Sequence, residues 1–184
     1  MRPCNQGHLD CMCGPYSIIN GVRLITNNCE IRNVDQSEKL FLYLLKTLRE
    51  KRLLYRVLTR GTSKPMLVSL LDETRVWVSK ELGVQMNYSI PFHRLTNVPA
   101  RYVRESITQH LSERNTSVIA RVIRPYDHWT VISASRQKQF VLADSDGLSH
   151  IAHRNWGTIK GQVSKRYLIS PTGIFHISAG PDAR

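Results

Sequence analysis

Two hydrophobic rhythms divide the chain. Up to about residue 113 the apolar positions recur every three to four residues, and beyond it they alternate. Ile18, Ile19, Val22 and Leu24/Ile25 predict a helix from Gly14 to about Thr26. A second helix is predicted over "SEKLFLYLLKTLREKRLLY", opening on Ser37 as its N-cap. "KPMLVSLLDETRVWVSKELG" starts on Lys-Pro and closes on Gly83, the Pro-first, Gly-last pattern of a third helix. A short fourth helix is expected over Ala100 to Glu113. In the second half, "TSVIARVI", "HWTVISAS", "QFVLADS", "RYLISP" and "GIFHIS" are short β-branched and aromatic runs. The turn-forming stretches "RPYD", "SRQK" and "DSDG" punctuate them. Helices first and an antiparallel sheet after is the α+β pattern, expected as two layers around one core. The 184 residues suit one domain, with a helical part over about 1–115 and a sheet part over about 116–184.

Charge and length sharpen this picture. No apolar run approaches the roughly 18 residues of a membrane span. Met1 to Asp10 is polar and lacks the apolar stretch of a signal peptide, so a cytoplasmic location is the expectation. The net charge is +12, and part of it is local: Lys46 to Lys64 holds seven basic residues and one acidic residue. Lys46, Arg49, Lys51, Arg52, Arg56 and Arg60 are candidates to face an acidic protein partner. Nucleic acid is the second choice, because the segment has no recognisable reader motif and few interleaved aromatics. A solvated helix face is the plainer alternative.

The chemistry is concentrated at the start. All four cysteines, Cys4, Cys11, Cys13 and Cys29, lie in the first 29 residues, which is no disulfide framework. Cys4, His8, Cys11 and Cys13 could offer zinc four ligands, but not at the spacing of two separated knuckles, and no metal or cofactor is expected. Cys13 precedes Gly14-Pro15 at a predicted helix start. There, unpaired backbone N–H groups and the helix dipole favour a thiolate. Gly14 is expected to leave room for a substrate backbone. A thiolate nucleophile needs an imidazole, and the imidazole needs an orienting group. His128 opens one strand and Asp144 closes the next, so antiparallel pairing brings them together. Asp127 and Asp146 are alternative partners for that histidine. Gln6 is the candidate oxyanion donor beside the Cys13 backbone N–H. Trp129 is expected to shield the pair from water, Asn20 to tie the helix to a neighbour, and Cys11 to be a second, less favoured nucleophile.

The ordered set Gln6, Cys13-Gly14-Pro15, Asn20, His128-Trp129 and Asp144 resembles papain-like cysteine peptidases. It is most similar to the bacterial branch of double-glycine leader peptidases and their stand-alone relatives. His128 and Asp144 are sixteen residues apart, as in that family, whereas Gln6 precedes Cys13 by seven residues where six is usual. The resemblance implies a papain-like fold and a thiol hydrolase cleaving a peptide, isopeptide or other amide bond. Catalytic Cys13, His128, Asp144 and Gln6 would act through an acyl-enzyme. The same triad serves deamidation, transglutamination or acyl transfer. A compact basic domain of this kind also resembles toxin and effector domains delivered into other cells. A non-catalytic basic binding module is the alternative from another class. Within the hydrolase reading, Asp144→Asn is expected to cost ten- to a hundredfold, since a neutral amide can still orient an imidazole.

Overall fold

The computed structural model describes residues 3–5, 10–26, 34–158 and 164–180. It is an α+β structure. Helices α1 (Cys13–Ile25), α2 (Val34–Glu50), α3 (Leu54–Arg60) and α4 (Lys64–Leu82) come first. Strand β1 (Met86–Ser89) and helix α5 (Ala100–Leu111) follow. The remaining strands are β2 (Thr116–Arg124), β3 (His128–Arg136), β4 (Gln139–Leu142), β5 (His150–Ala152), β6 (Trp156–Gly157) and β7 (Tyr167–Ala179). They form one sheet in the order β1-β7-β2-β3-β4-β5, antiparallel throughout that path, with β6 pairing in parallel on β7.

The sheet lies between two apolar clusters, where one core was expected. Ile119, Trp129, Val131, Phe175 and Ile177 join α1, α2 and α4 in one cluster. Val118, Ala120, Val122, Ile132 and Ile174 join α5 in the other. Residues one apart on a strand point to opposite faces, so a strand buried on both sides reads as the unbroken run "SVIARVI". Helix α1 is buried along most of its length. Gly21 brings it close to Ile119 and Ile177, and Ser117 Oγ donates to the Gly21 carbonyl at 3.2 Å.

Several boundaries differ from the sequence expectation for identifiable reasons. Helix α2 begins at Val34, ahead of Ser37, with Asp35 in its first turn paired to Lys39 at 2.8 Å. Ser37 is therefore a buried helix residue and not a cap. The expected single helix from Ser37 to Tyr55 is broken at Arg52, whose φ is 58°. Arg52 N–H donates to Arg49 O and Leu53 N–H to Leu48 O, the paired bonds of a Schellman ending in which glycine usually takes the left-handed position. "RYLISP" and "GIFHIS" are one strand, β7, whose pairing with β2 shifts between Ala120 and Val122. Ser170 to Gly173 fill that bulge, and their turn-like composition disguises the continuity. Helix α4 matches its signals: Pro65 lies in its first turn and Gly83 caps it at φ 64°.

Candidate active site

Three elements end at one corner. Cys13 is the first residue of α1, His128 is the first residue of β3, and Asp144 lies two residues past β4. The β3–β4 register explains why the last two meet. Ile132 pairs with Leu142, and Ala143 N–H donates to Val131 O at 2.8 Å. Asp144 therefore stands opposite Thr130, and His128, on the same face as Thr130, is its diagonal neighbour. His128 Nε2 lies 2.7 Å from Asp144 Oδ2. The imidazole's remaining nitrogen, Nδ1, is left for a further partner; the Cys13 thiol acts on the ring electrostatically, and its Sγ donates to Cys11 O at 3.9 Å.

All three groups are removed from water: Cys13 is 7% exposed, His128 5% and Asp144 2%. Burial by itself pulls an imidazole pKa down. Here the hydrogen bond and charge of Asp144, with the Cys13 thiol beside the ring, outweigh it and push His128 up to about 10. Burial pushes the Asp144 carboxyl up, but the hydrogen bond and charge of His128 more than reverse this and hold it below the usual carboxylate range. Asp144 Oδ1 also accepts from the backbone N–H groups of Asp146 (2.8 Å) and Leu148 (3.3 Å). The buried Thr130 hydroxyl favours the ionised carboxylate too, although it makes no hydrogen bond of good geometry among the described residues.

The alternative partners of His128 are engaged elsewhere. Asp127 takes both ends of the Arg121 guanidinium, with Nε 2.7 Å from Oδ1. Asp146 accepts from Tyr126 Oη at 3.2 Å, and the Tyr126 ring stands edge-on to His128 with centroids 5.7 Å apart. Trp129 turns to the α1 face, where Nε1 donates to the Thr62 carbonyl at 2.7 Å. It thus braces the loop between α3 and α4 against the sheet.

That loop forms the wall beside Cys13. Cys11 N–H donates to Leu58 O at 3.2 Å. A Cβ added at Gly14 would lie 2.4 Å from Thr62 Oγ1 and 2.5 Å from its Cβ. Gly14 is therefore bare because Thr62 packs on it, which corrects the expectation that it makes room for substrate. Asn20 does act as a tie. Its Oδ1 accepts from Cys4 N–H at 2.8 Å, and its Nδ2 donates to Cys4 O at 3.1 Å and to Ala143 O at 3.4 Å. Cys11 is exposed, and Cys13 is the cysteine at the helix start. Gln6, His8 and Cys29 lie outside the described residues. Among the described residues no three His, Cys, Asp or Glu side chains converge as metal ligands, and no helix is long and apolar enough to cross a membrane.

Sequence reasoning missed Arg121 and Thr62. Arg121 pairs across the strands with Trp129, lies over its ring at 5.7 Å, and is within electrostatic reach of Cys13. The only signal for it was the turn-like "SPTG" opposite, whose Gly173 leaves room for the Arg121 side chain. No protein-family model matches the chain, and neither a curated protein nor a solved structure matches it.

Proposed function

We propose that this protein is a papain-like thiol hydrolase, cleaving a peptide, isopeptide or other amide bond through Cys13, His128 and Asp144. The observation that carries the reading is the buried imidazole held between the thiol at the start of α1 and the Asp144 carboxylate. A histidine whose pKa is raised to about 10 by these two groups is an imidazolium at neutral pH, the partner that stabilises a thiolate. In this reading the Cys13 sulfur attacks the scissile carbonyl, and the carbonyl π electrons move onto oxygen. The backbone N–H of Cys13, with Gln6, receives that oxyanion. As it collapses, His128 gives its Nδ1 proton to the leaving amine and the acyl group stays on sulfur. Water then loses a proton to Nδ1 as it attacks the acyl carbon, and the acid and the thiol are released. Asp144 keeps Nε2–H donating throughout and so holds the ring in one orientation. Deamidation, transglutamination and acyl transfer use the same steps with another leaving group or acceptor. Use as an effector delivered into another cell rests on the family resemblance alone.

The test is a brief exposure of the intact protein to iodoacetamide at pH 6, followed by mass spectrometry and peptide mapping. Cys13 is expected to label first, ahead of Cys4, Cys11 and Cys29. An ordinary thiol is almost wholly protonated at that pH, so equal labelling of all four would remove the hydrolase reading. A non-catalytic basic module would then stand in its place, on the strength of the exposed arginines of α3.

A further inference from the structure

The basic segment divides once its ion pairs are known. Lys46 pairs with Glu50 at 3.8 Å and Lys51 with Glu73 at 3.0 Å, so both are offset by the protein itself. Arg49, Arg52, Arg56 and Arg60 are exposed and form no ion pair among the described residues. Arg56 and Arg60 are four apart on α3 and share one face of it, and Arg52 sits two residues ahead of the helix, in the turn that leads into it. Along the helix axis Arg56 and Arg60 are roughly 6 Å apart, the length of about two extended residues.

Among the described residues no ion pair accounts for these arginines. Like charges four apart weaken a helix by about 0.2–0.5 kcal/mol per pair, and "LYRVLTR" contains no acidic residue to offset them. Arg52 also holds a left-handed backbone position where glycine would relieve about 1 kcal/mol of strain. Only Val57 of α3 is buried, while Tyr55, next to Arg56 in the chain, stands 80% exposed. The C-terminal end of this helix runs straight into the wall of the candidate site. Leu58 O holds Cys11 N–H, Gly61 borders Cys11, and Thr62 packs on Gly14.

We propose that α3 and the turn before it are a docking rail for an acidic segment of the polypeptide substrate, with the Arg56 and Arg60 guanidinium groups on the helix and Arg52 in the turn pairing to its carboxylates while the bond to be cleaved enters at Cys13. The proposal rests on the hydrolase reading for its second half only. Continuity of the rail with the site wall favours a protein substrate over nucleic acid, as does the presence of Tyr55 as the sole exposed aromatic of the helix.

Binding to Cys13→Ala protein separates docking from turnover. The probes are a fluorescein-labelled peptide with a four-glutamate block, the same peptide with glutamine in the block, and a single-stranded DNA of 20 nucleotides, followed by anisotropy at about 50 mM salt. The glutamate peptide is expected to bind at least tenfold tighter than the glutamine peptide and to weaken at least tenfold near 300 mM salt. Arg56→Gln with Arg60→Gln should abolish that preference. Arg52→Gly should weaken binding threefold or more while raising Tm, because it removes a charge and a backbone strain together. Equal binding of the two peptides, or a preference that survives all three substitutions, would overturn the proposal. So would tight DNA binding that the glutamate peptide does not compete away. Docking of the acidic peptide with no iodoacetamide selectivity at Cys13 in the unsubstituted protein would leave the rail standing and remove the hydrolase.

Discussion

Two histidines in this molecule, one buried and one half-buried, shift in opposite directions. His128 faces a carboxylate and a thiol, and its pKa rises to about 10. His176, on β7, lies stacked on His110 of α5 with ring centroids 4.3 Å apart, and its nearest polar neighbour is Ser106 Oγ at 3.4 Å from Nε2. Its pKa falls to about 4, through burial first and the charge of His110 second. Both rings feel desolvation, which alone lowers an imidazole. The difference lies in what faces each ring: an anion reverses the burial effect, while a second imidazole adds to it. Burial of a histidine is therefore weak information, and the partner is strong information.

The contrast breaks most visibly in activity. Cys13→Ala and His128→Ala are each expected to lower kcat/KM on a cleavable substrate by about 10⁴ or more, and the double variant to lose little beyond either alone. His176→Gln should leave kcat/KM within about twofold, and a large loss there would place the second histidine in the chemistry. Asp144→Asn should cost more than the ten- to hundredfold that the sequence suggests. Asp144 Oδ1 accepts two backbone N–H groups and Oδ2 accepts Nε2–H, so an amide must turn its NH₂ toward a donor on one side or the other. A loss of about 10²–10³ is expected, with His128 falling back toward the ordinary imidazole range in an NMR titration; an unmoved titration would show that the carboxylate does not set it.

Gly14→Ala tests the wall beside the thiol. Its new methyl would collide with Thr62, whose carbonyl is already held by Trp129, so a loss on the order of 3 kcal/mol in urea denaturation is expected. Thr62→Gly in the same chain, which removes the colliding Cβ with the rest of the side chain, should restore part of it. The smallest effects are in stability against pH. His176 has a folded pKa below its unfolded value, so its unfolded form binds the extra proton. Stability should fall as pH drops from about 6.5 toward 4, and His176→Gln should flatten that limb by about 1–2 kcal/mol, the solvent-exposed part of the ring reducing the full value. His128 has the opposite sign: its contribution is complete below about 6.5 and is lost as pH rises toward 10. Thermal melts of His176→Gln and His128→Ala should therefore differ from the parent at opposite ends of the pH scale.

Much of this architecture was legible where local chemistry decides. Pro65 and Gly83 bound α4, and the turn between β3 and β4 placed His128 and Asp144 at one end of the sheet because antiparallel pairing leaves no other choice. What was not legible depends on partners far away in sequence. The Arg52 break carries no glycine, so nothing local announces it. The short strands β1, β5 and β6 exist because β7 and β4 offer free edges, not because their own residues demand extension. Thr62 against Gly14 and Arg121 over Trp129 are contacts between segments with no shared pattern. The acidic partners that silence Lys46 and Lys51 had to be seen before the exposed arginines could be separated from the rest of the charge.

The Asn20 side chain spans a long reach of chain at the corner. Its amide joins Cys4 on one side to Ala143 on the other, across 16 and 123 residues of chain. Contacts that distant are closed late, after the local turns and helices have formed. A growing chain thus exposes its Cys13-Gly14-Pro15 start early, but the imidazole and carboxylate reach it only after synthesis has passed Asp144. In the proposed hydrolase, chemistry at the thiol is therefore timed by chain growth, and an unfinished copy would carry the thiol without its base.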